Sequence, residues 1–395
     1  LCIYNQLAKI IYNFPYKNYI LFIDLFQGNI TIKNMEFKFI SEKKKADFET
    51  FKKVLEGKEK AKRVHFAELL FDYEIKKYIS EKYFGRKWID FSYENIDDWT
   101  KQEIYFWYQL GYDYARISGG LDFEGKGRVG EDTAVLSRGQ RGWVEENKGV
   151  ISNWDEFEKY PWPKINEIDY KTYEITSKNL PEGMKMVVCP SSGVFEISSE
   201  KILGFENMSY LIYENYELVE AVFNKVGQLM VSFYENIVEI DNVEGFFQGD
   251  DLGFKTSTFL SPFYIRKLVI PFHKKFSQIA HEKGKMYFLH CCGNVLEIMN
   301  DFIYDVKIDA FHSFQDEIIP VWEFKELYDE KIGILGGIDV NKLCTYNEEN
   351  LRKYVRRVLD QCMPERYALG SGNSIANYIP VQNFLIMLDE GWKYK

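Results

Sequence analysis

The sequence predicts one large α/β domain, a (β/α)8 TIM-type barrel, and three observations carry that expectation. The chain has 395 residues, a length that barrels of this class reach as a single domain. Apolar segments of strand length occur eight times along it. Between the later ones lie stretches whose apolar residues recur with a 3.6-residue period. Strand and helix in alternation imply parallel strands joined by crossover helices, and eight such units suit a closed barrel better than an open sheet.

Residues 1–34 are set aside. Their apolar and aromatic start is interrupted by Lys9, Lys17 and Asp24, so no run reaches the roughly 18–20 residues a spanning helix needs. The segment lacks the basic-then-apolar order and small-residue cleavage site of an export signal. Met35 opens MEFKFISEKKK, which reads like a natural start, so residues 1–34 are read as an appended stretch or a misassigned start, expected to pack loosely or lie outside the barrel, and residues 35–395 as the barrel domain. A helical extension then leads into the barrel: Phe48, Phe51, Val54 and Leu55 share one face of a helix that Gly57 ends.

The strand candidates follow in order: RVHF (63–66), YDYARIS (112–118), MKMVVCP (184–190), EGFFQGD (244–250), KMYFLHC (285–291), DAFHSF (309–314), IGILGGI (332–338) and RYALGS (366–371). Helical periodicity marks 263–283 and 348–362. The long connection after the second candidate, 119–183, is rich in Gly, Trp and charge. It is an elaborated loop, read either as a lid or binding loop at a substrate mouth or as a β-hairpin packed on the rim.

A hydrophobic content of 46% with 28% charged residues is that of an ordered globular protein. The formal charge of −10 repels nucleic-acid phosphates and anionic lipid, so neither nucleic acid nor membrane is an expected partner, and a small-molecule substrate is. Six cysteines, at 2, 189, 291, 292, 344 and 362, have neither the density nor the spacing of a disulfide scaffold. They read as thiols of a reducing, cytoplasmic compartment.

Functional groups of such barrels gather at the C-terminal strand ends. The endings here are polar: Arg116 and Ser118, Cys189 with Ser191 and Ser192, Gln248 with Asp250 and Asp251, His290 with Cys291 and Cys292, His312 and Gln315, Gly336 to Asp339, and Ser371 to Asn373. His290 and Cys292 are two apart in extended chain and point to the same side, with Gly293 free to turn the backbone away. The pair suits zinc, or a thiol beside a base, or a buried thiol next to a hydrogen-bonded histidine. As zinc ligands, their nitrogen and sulfur should lie within about 4 Å of each other, with a third oxygen or sulfur donor nearby. Of Asp250 and Asp251, one is expected to face the site, to accept a proton, hold a cation or ligate metal; the alternative is a structural turn with helix capping. In GGID (336–339), the glycines permit close approach to a ligand, whereas Asp339 is placed to cap a helix beginning near Val340.

Several segments together resemble the uroporphyrinogen decarboxylase-like superfamily: GDDLG (249–253), LSPFYIRKLVIPFHKK (260–275), GKMYFLHCCGN (284–294), GGIDV (336–340) and LGSGNSIANYIPVQN (369–383). FKKVLEGKEKAKRVHFAELLFDYEI (51–75) and WDEFEKYPWP (154–163) look like its N-terminal half. The superfamily includes porphyrinogen decarboxylases and zinc enzymes that move methyl groups between corrinoid proteins and thiols. In the decarboxylases an arginine-rich segment near the N-terminus clamps the substrate carboxylates, and a Gly-His-Gly stands near the C-terminus. Here those regions read FAELLFDYEI, with no arginine, and GSGNSI. The resemblance therefore implies the methyltransferase branch, with His290 and Cys292 as zinc ligands and a corrinoid protein as partner. Where that branch commonly has a further glutamate and cysteine, this chain has Gln315 and Asn373, so two usual ligands are absent and the alternatives are a different set, with Asp251 or Asp316, or no metal at all.

The combined expectation is a methyl-transferring enzyme with zinc on His290 and Cys292, and a corrinoid as methyl carrier. Asp250, Asp251 and Arg116 are its expected catalytic residues, and Gly337, Asp339, Asn373 and Gln315 its expected substrate-binding ones. Porphyrinogen decarboxylation, steered by an aspartate such as Asp250, and a tetrapyrrole- or corrinoid-binding barrel without turnover are the alternatives. In each, His290, Asp250, Arg116, Gly337 and Asn373 should open onto one cavity at one end of the barrel.

Overall fold

The computed structural model describes residues 20–23 and 30–33 by their backbone, and residues 37–145, 147, 149–328 and 330–395. The chain divides into two compact units, Leu1–Glu42 and Lys43–Lys395. In the first, Ile20–Ile23 and Ile30–Lys33 pair antiparallel and a short helix spans Lys38–Ser41. The expectation for residues 1–34 falls mostly outside the described residues.

The second unit is built on seven parallel strands: β1 (Tyr114–Ser118), β2 (Lys185–Cys189), β3 (Val243–Gly249), β4 (Met286–His290), β5 (Ala310–His312), β6 (Gly333–Leu335) and β7 (Tyr367–Ala368). They are hydrogen-bonded in sequence order from β1 to β7, and crossover helices flank the sheet. This is the expected TIM-type barrel. The first candidate strand takes the eighth position with a single parallel bridge, Phe66 to Leu369, secured by Ala67 N–H donating to Leu369 O and Leu369 N–H to His65 O, both at 2.8 Å. Gly370 permits this approach, because a Cβ there would collide with the Ala67 carbonyl.

Side chains join this segment to β1. Arg63 and His65 both meet the buried Asp113 carboxylate, His65 Nδ1 at 2.6 Å. The Tyr114 hydroxyl donates to Glu68 O and accepts from Glu68 N–H, each at 3.0 Å. These groups satisfy polar atoms that a continuous ladder would otherwise pair.

Helix α1 (Phe48–Leu55) carries the predicted apolar face, all four residues of which are buried. Asp47 caps it, accepting from Thr50 N–H at 3.0 Å, a contact of the kind that contributes about 1 kcal/mol. Its Phe51 ring packs on His65, Tyr114 and Phe288 with centroids 5.8, 5.7 and 6.1 Å away, joining α1 to three barrel segments. Helix α2 (Ile96–Leu110) ends at Gly111 in the left-handed conformation and leads into β1. The long helix α3 (Tyr216–Ile237) precedes β3.

The periodic stretch 263–283 is two helices, α4 (Pro262–Leu268) and α5 (Ile270–Glu282). Pro271 explains the break: it has no N–H to continue the ladder, and its ring clashes with the preceding turn. Helices α6 (Val321–Tyr328), α7 (Val340–Thr345), α8 (Glu348–Cys362) and α9 (Val381–Lys393) follow toward the C-terminus.

The connection from 119 to 183 contains an antiparallel hairpin, Gly127–Glu131 with Gln140–Val144, and two short helices, Trp154–Lys159 and Lys171–Asn179. Arg141 anchors the hairpin to Asp72 and Asn377 at 3.1 and 3.2 Å, and Asn377 donates to Asp132 at 2.8 Å. The base of this connection also lines a cavity, through Leu121, Phe123 and Val144. Among the described residues, no helix is long and apolar enough to cross a membrane.

Candidate metal centre and its two cavities

Strand register brings the central groups together. Gly249 lies beside His290, and His290 beside His312, at the C-terminal ends of β3, β4 and β5. The chain leaves β3 as Asp250–Asp251, whose side chains diverge because neighbouring residues in extended chain face opposite ways.

Asp251 turns toward β4. Its Oδ1 accepts Cys292 N–H at 2.8 Å and lies 3.4 Å from His290 Nε2, which in turn is 3.3 Å from Cys292 Sγ. One ligand atom from each of Asp251, His290 and Cys292 falls within 4.8 Å of the other two. In a tetrahedral zinc site, bonds of ~2.0 Å to nitrogen or oxygen and ~2.3 Å to sulfur put neighbouring donors about 3.3–3.6 Å apart. The donors fit. Three mixed donors also leave a fourth position open, as catalytic zinc sites do and structural sites do not. The same spacing serves an imidazolium–thiolate pair, so the cluster has two chemical uses.

Two residues adjust the cysteine. Asn373 Nδ2 donates to Cys292 Sγ at 3.0 Å, and Ser313 Oγ lies 3.7 Å from it. Asn373 thus reaches the sulfur as a hydrogen-bond donor. Gln315 makes no hydrogen bond to the cluster from its side chain. Asp316, one of the two expected replacement ligands, is held by Lys342 and the Tyr354 hydroxyl instead.

Burial opposes a charge on His290, but the Cys292 sulfur and the Asp251 carboxylate outweigh it and raise the ring's pKa well above the ordinary histidine value. For Asp251 burial pushes upward, and its bonds to His290 and the Cys292 amide hold it below the usual carboxylate range. His312 behaves oppositely. Burial, and then the charge of His290, lower it to about 3. Glu196, at the cavity wall, is raised well above the carboxylate range by burial and then by the charges of Asp251, Asp250 and Glu200.

The cluster stands between two cavities. One, of about 760 Å³, is lined by Arg116, Ser118, Asp251, His290 and Asn373 among others. The second, of about 880 Å³, is lined by Cys292, Gln315, Asp339 and again Asn373. Asn373 and Ser374 belong to both walls. In the first cavity Arg116 donates to Ser118 at 3.3 Å, while its buried Nε has no hydrogen-bond partner. Asp339 also caps α7, accepting from Lys342 N–H at 3.1 Å.

Two sequence expectations need correction. Asp250 lines neither cavity: it is fully buried, accepts Phe195 and Glu196 N–H at 3.1 Å each, and meets His273 Nε2 at 2.8 Å. Gly193 makes room for that carboxylate, which a Cβ would strike. Gly337 also lines neither. Its φ of +102° and its packing against Val321, 2.7 Å from where a Cβ would stand, account for the glycine. Thus Arg116, His290 and Asn373 share the first cavity, whereas Asp250 and Gly337 serve the framework. His312 was visible only as a strand ending, and Glu196 gave no signal, because it follows a strand end by seven residues and reaches the cavity through the start of a helix.

A family model described as uroporphyrinogen decarboxylase (URO-D) matches residues 147–394. Among solved structures, the fold is similar to that of a methyltransferase from Methanosarcina mazei, at 14% identity and a TM-score of 0.64, covering 88% of this chain and 98% of that one. A B12-independent methionine synthase from Shewanella sp. W3-18-1 matches at 13% identity and a TM-score of 0.43, over 76% of this chain and 87% of that one. Comparison with curated protein sequences finds no match.

Proposed function

The chain belongs to the uroporphyrinogen decarboxylase (URO-D) family, and we propose that it moves a methyl group between a corrinoid, carried by a partner protein, and a thiol acceptor. The observation that carries this reading is the Asp251–His290–Cys292 cluster, with its fourth side free between two cavities. A zinc ion held by these three would supply the positive charge that keeps a thiol ionised near neutral pH. Every other part falls to the chain. Asn373 orients the Cys292 sulfur by its 3.0 Å hydrogen bond. Arg116, on the wall of the first cavity, offers its guanidinium to an anionic end of the acceptor. Gln315 and Asp339 present hydrogen-bonding groups to the second cavity, where the other reactant would lie. The similarity of the fold to that of a methyltransferase from Methanosarcina mazei agrees with this reading.

Charge argues against porphyrinogen decarboxylation. The first cavity presents one arginine, Arg116, and one lysine, Lys201, beside the carboxylates of Asp122, Glu200 and Asp251. A polycarboxylate there would lack the bidentate partners it needs. The test is to incubate the zinc-loaded protein with methylcobalamin and a simple thiol and follow the loss of methylcobalamin absorbance together with thioether formation. Both should occur, and both should stop in Cys292→Ala. Turnover of uroporphyrinogen by metal-free protein, with no methyl transfer, would overturn the proposal.

A further inference from the structure

His312 takes no direct part in the metal cluster, yet it is fully buried behind it. Its two ring nitrogens are both engaged: Nε2 lies 2.9 Å from Ser371 O, and Nδ1 lies 2.7 Å from His290 Nδ1. These distances determine where the protons sit. A carbonyl oxygen only accepts, so His312 Nε2 carries a hydrogen. Two imidazole nitrogens at 2.7 Å need one donor and one acceptor. If His312 donated there too, it would be a buried cation whose only hydrogen-bond partners are a carbonyl and another imidazole, an arrangement burial strongly disfavours. His312 Nδ1 therefore accepts, and His290 Nδ1 donates.

We infer that His312 is a positioning residue: it fixes His290 in the tautomer that carries its hydrogen on Nδ1, leaving Nε2 as the nitrogen presented to Asp251, Cys292 and a metal. The inference rests on the metal reading of the cluster and adds which atom binds and what sets it. The device is anchored from behind. Ser371 donates its N–H to Glu68 Oε1 at 2.7 Å and its hydroxyl to Glu68 Oε2 at 2.5 Å, which holds its carbonyl toward His312. Gly336, at φ +85°, keeps the space open, since a Cβ would collide with Ser371 O and stand 2.8 Å from His312 Nε2. On the other side the Phe247 ring meets the His312 ring edge-on at 5.6 Å. Ligating histidines whose second nitrogen is held in this way lose ~10–100-fold in metal affinity when the holding group is removed.

The test has two parts, both on the full chain. First, imidazole 15N–1H correlation spectra at near-neutral pH report the tautomers directly. His312 should be the Nε2–H form with and without zinc, and in the zinc-loaded protein His290 should carry hydrogen on Nδ1 with Nε2 bound. Second, zinc affinity is measured by competition with a chromophoric chelator. His312→Phe, which neither accepts nor donates, should weaken zinc binding about 10–100-fold, and His312→Gln, which can do both, should restore most of it. If His312→Phe fails to fold, the wild-type spectra still decide. A wild type that binds zinc with His312 in the Nδ1–H or doubly protonated form, or with His290 bound through Nδ1, overturns the inference and leaves the metal reading standing. Failure to bind zinc at all sinks the metal reading, and a His312 that is still the Nε2–H form in that protein would show the relay to be right as a hydrogen-bonding arrangement alone.

Discussion

Asp250 and Asp251 are adjacent in sequence, and each meets a histidine, but they belong to different regions of the molecule. Asp250 faces the wall behind the barrel. It ties the helix start at Phe195 and Glu196 to His273, whose other nitrogen meets the Tyr287 hydroxyl at 2.7 Å, and neither Asp250, His273 nor Tyr287 lines either cavity. Asp251 faces the interior, part-exposed, with His290 and Cys292. A carboxylate–histidine contact at a barrel's C-terminal rim is therefore not in itself a functional site. What separates the two is whether the remaining donor directions are filled by backbone amides or left open to a cavity.

The cysteines offer the largest contrast by which to break that distinction. Cys291 is fully buried and its sulfur accepts Leu252 N–H at 3.3 Å, so it belongs to the wall, while Cys292 belongs to the cluster. Cys292→Ala should lower zinc affinity by more than about 100-fold, beyond what loss of an outer-shell partner costs, and Cys291→Ala should leave it unchanged. Equal loss of folding in both, seen by thermal melts, would place Cys292 in the core instead.

The aspartates should divide in the same sense. Asp250→Ala strands His273 and two buried amides and should cost about 3–5 kcal/mol in denaturant unfolding, as removing one partner of a buried pair does. Asp251→Ala should cost stability no more than about 1 kcal/mol while weakening zinc binding. Reversed outcomes would exchange the two roles. At the opposite end of the molecule's packing, Phe51→Ala should cost about 3–5 kcal/mol with zinc affinity intact, because it opens the α1 contact with His65, Tyr114 and Phe288 and touches no cluster residue.

The smallest effect expected is a pH dependence. The bond to Asp309 at 2.8 Å raises the pKa of His281, against the opposing effect of burial. A histidine with a raised folded pKa contributes stability in full below its unfolded value of ~6.5 and loses it as pH rises through the folded value. Wild-type melting temperature should therefore fall, from about pH 6 to about pH 8.5, slightly more than that of His281→Gln. Parallel curves would remove this contribution.

Much of the framework was legible because strands and helices announce themselves by period. The seven strands lie where the apolar runs put them, to within a residue, and the eighth run, RVHF, contributes a single bridge. The sequence pattern did not reveal that RVHF joins the sheet through one bridge, since its closure depends on Arg63 and His65 meeting Asp113, the Tyr114 hydroxyl of β1 meeting the Glu68 backbone, and Ser371 after β7 meeting the Glu68 carboxylate. His290 and Cys292 were legible as a pair because both sit on one side of a strand end, and their 3.3 Å approach lies inside the expected span. Which of Asp250 and Asp251 faces inward was not, because alternation fixes only that they differ. His312 needed the β4–β5 register, which no local pattern encodes. Gly337 misled because a positive φ serves tight packing as readily as ligand approach.

The central claim is that Asp251, His290 and Cys292 bind one metal ion through oxygen, nitrogen and sulfur. X-ray absorption at the zinc edge on zinc-loaded protein tests it most directly. The zinc-loaded chain should hold one ion with a single sulfur neighbour at ~2.3 Å and nitrogen and oxygen neighbours at ~2.0–2.2 Å, the sulfur shell disappearing in Cys292→Ala. A zinc ion surrounded by nitrogen and oxygen alone in the wild type, or a chain that takes up no zinc while correctly folded, would contradict it.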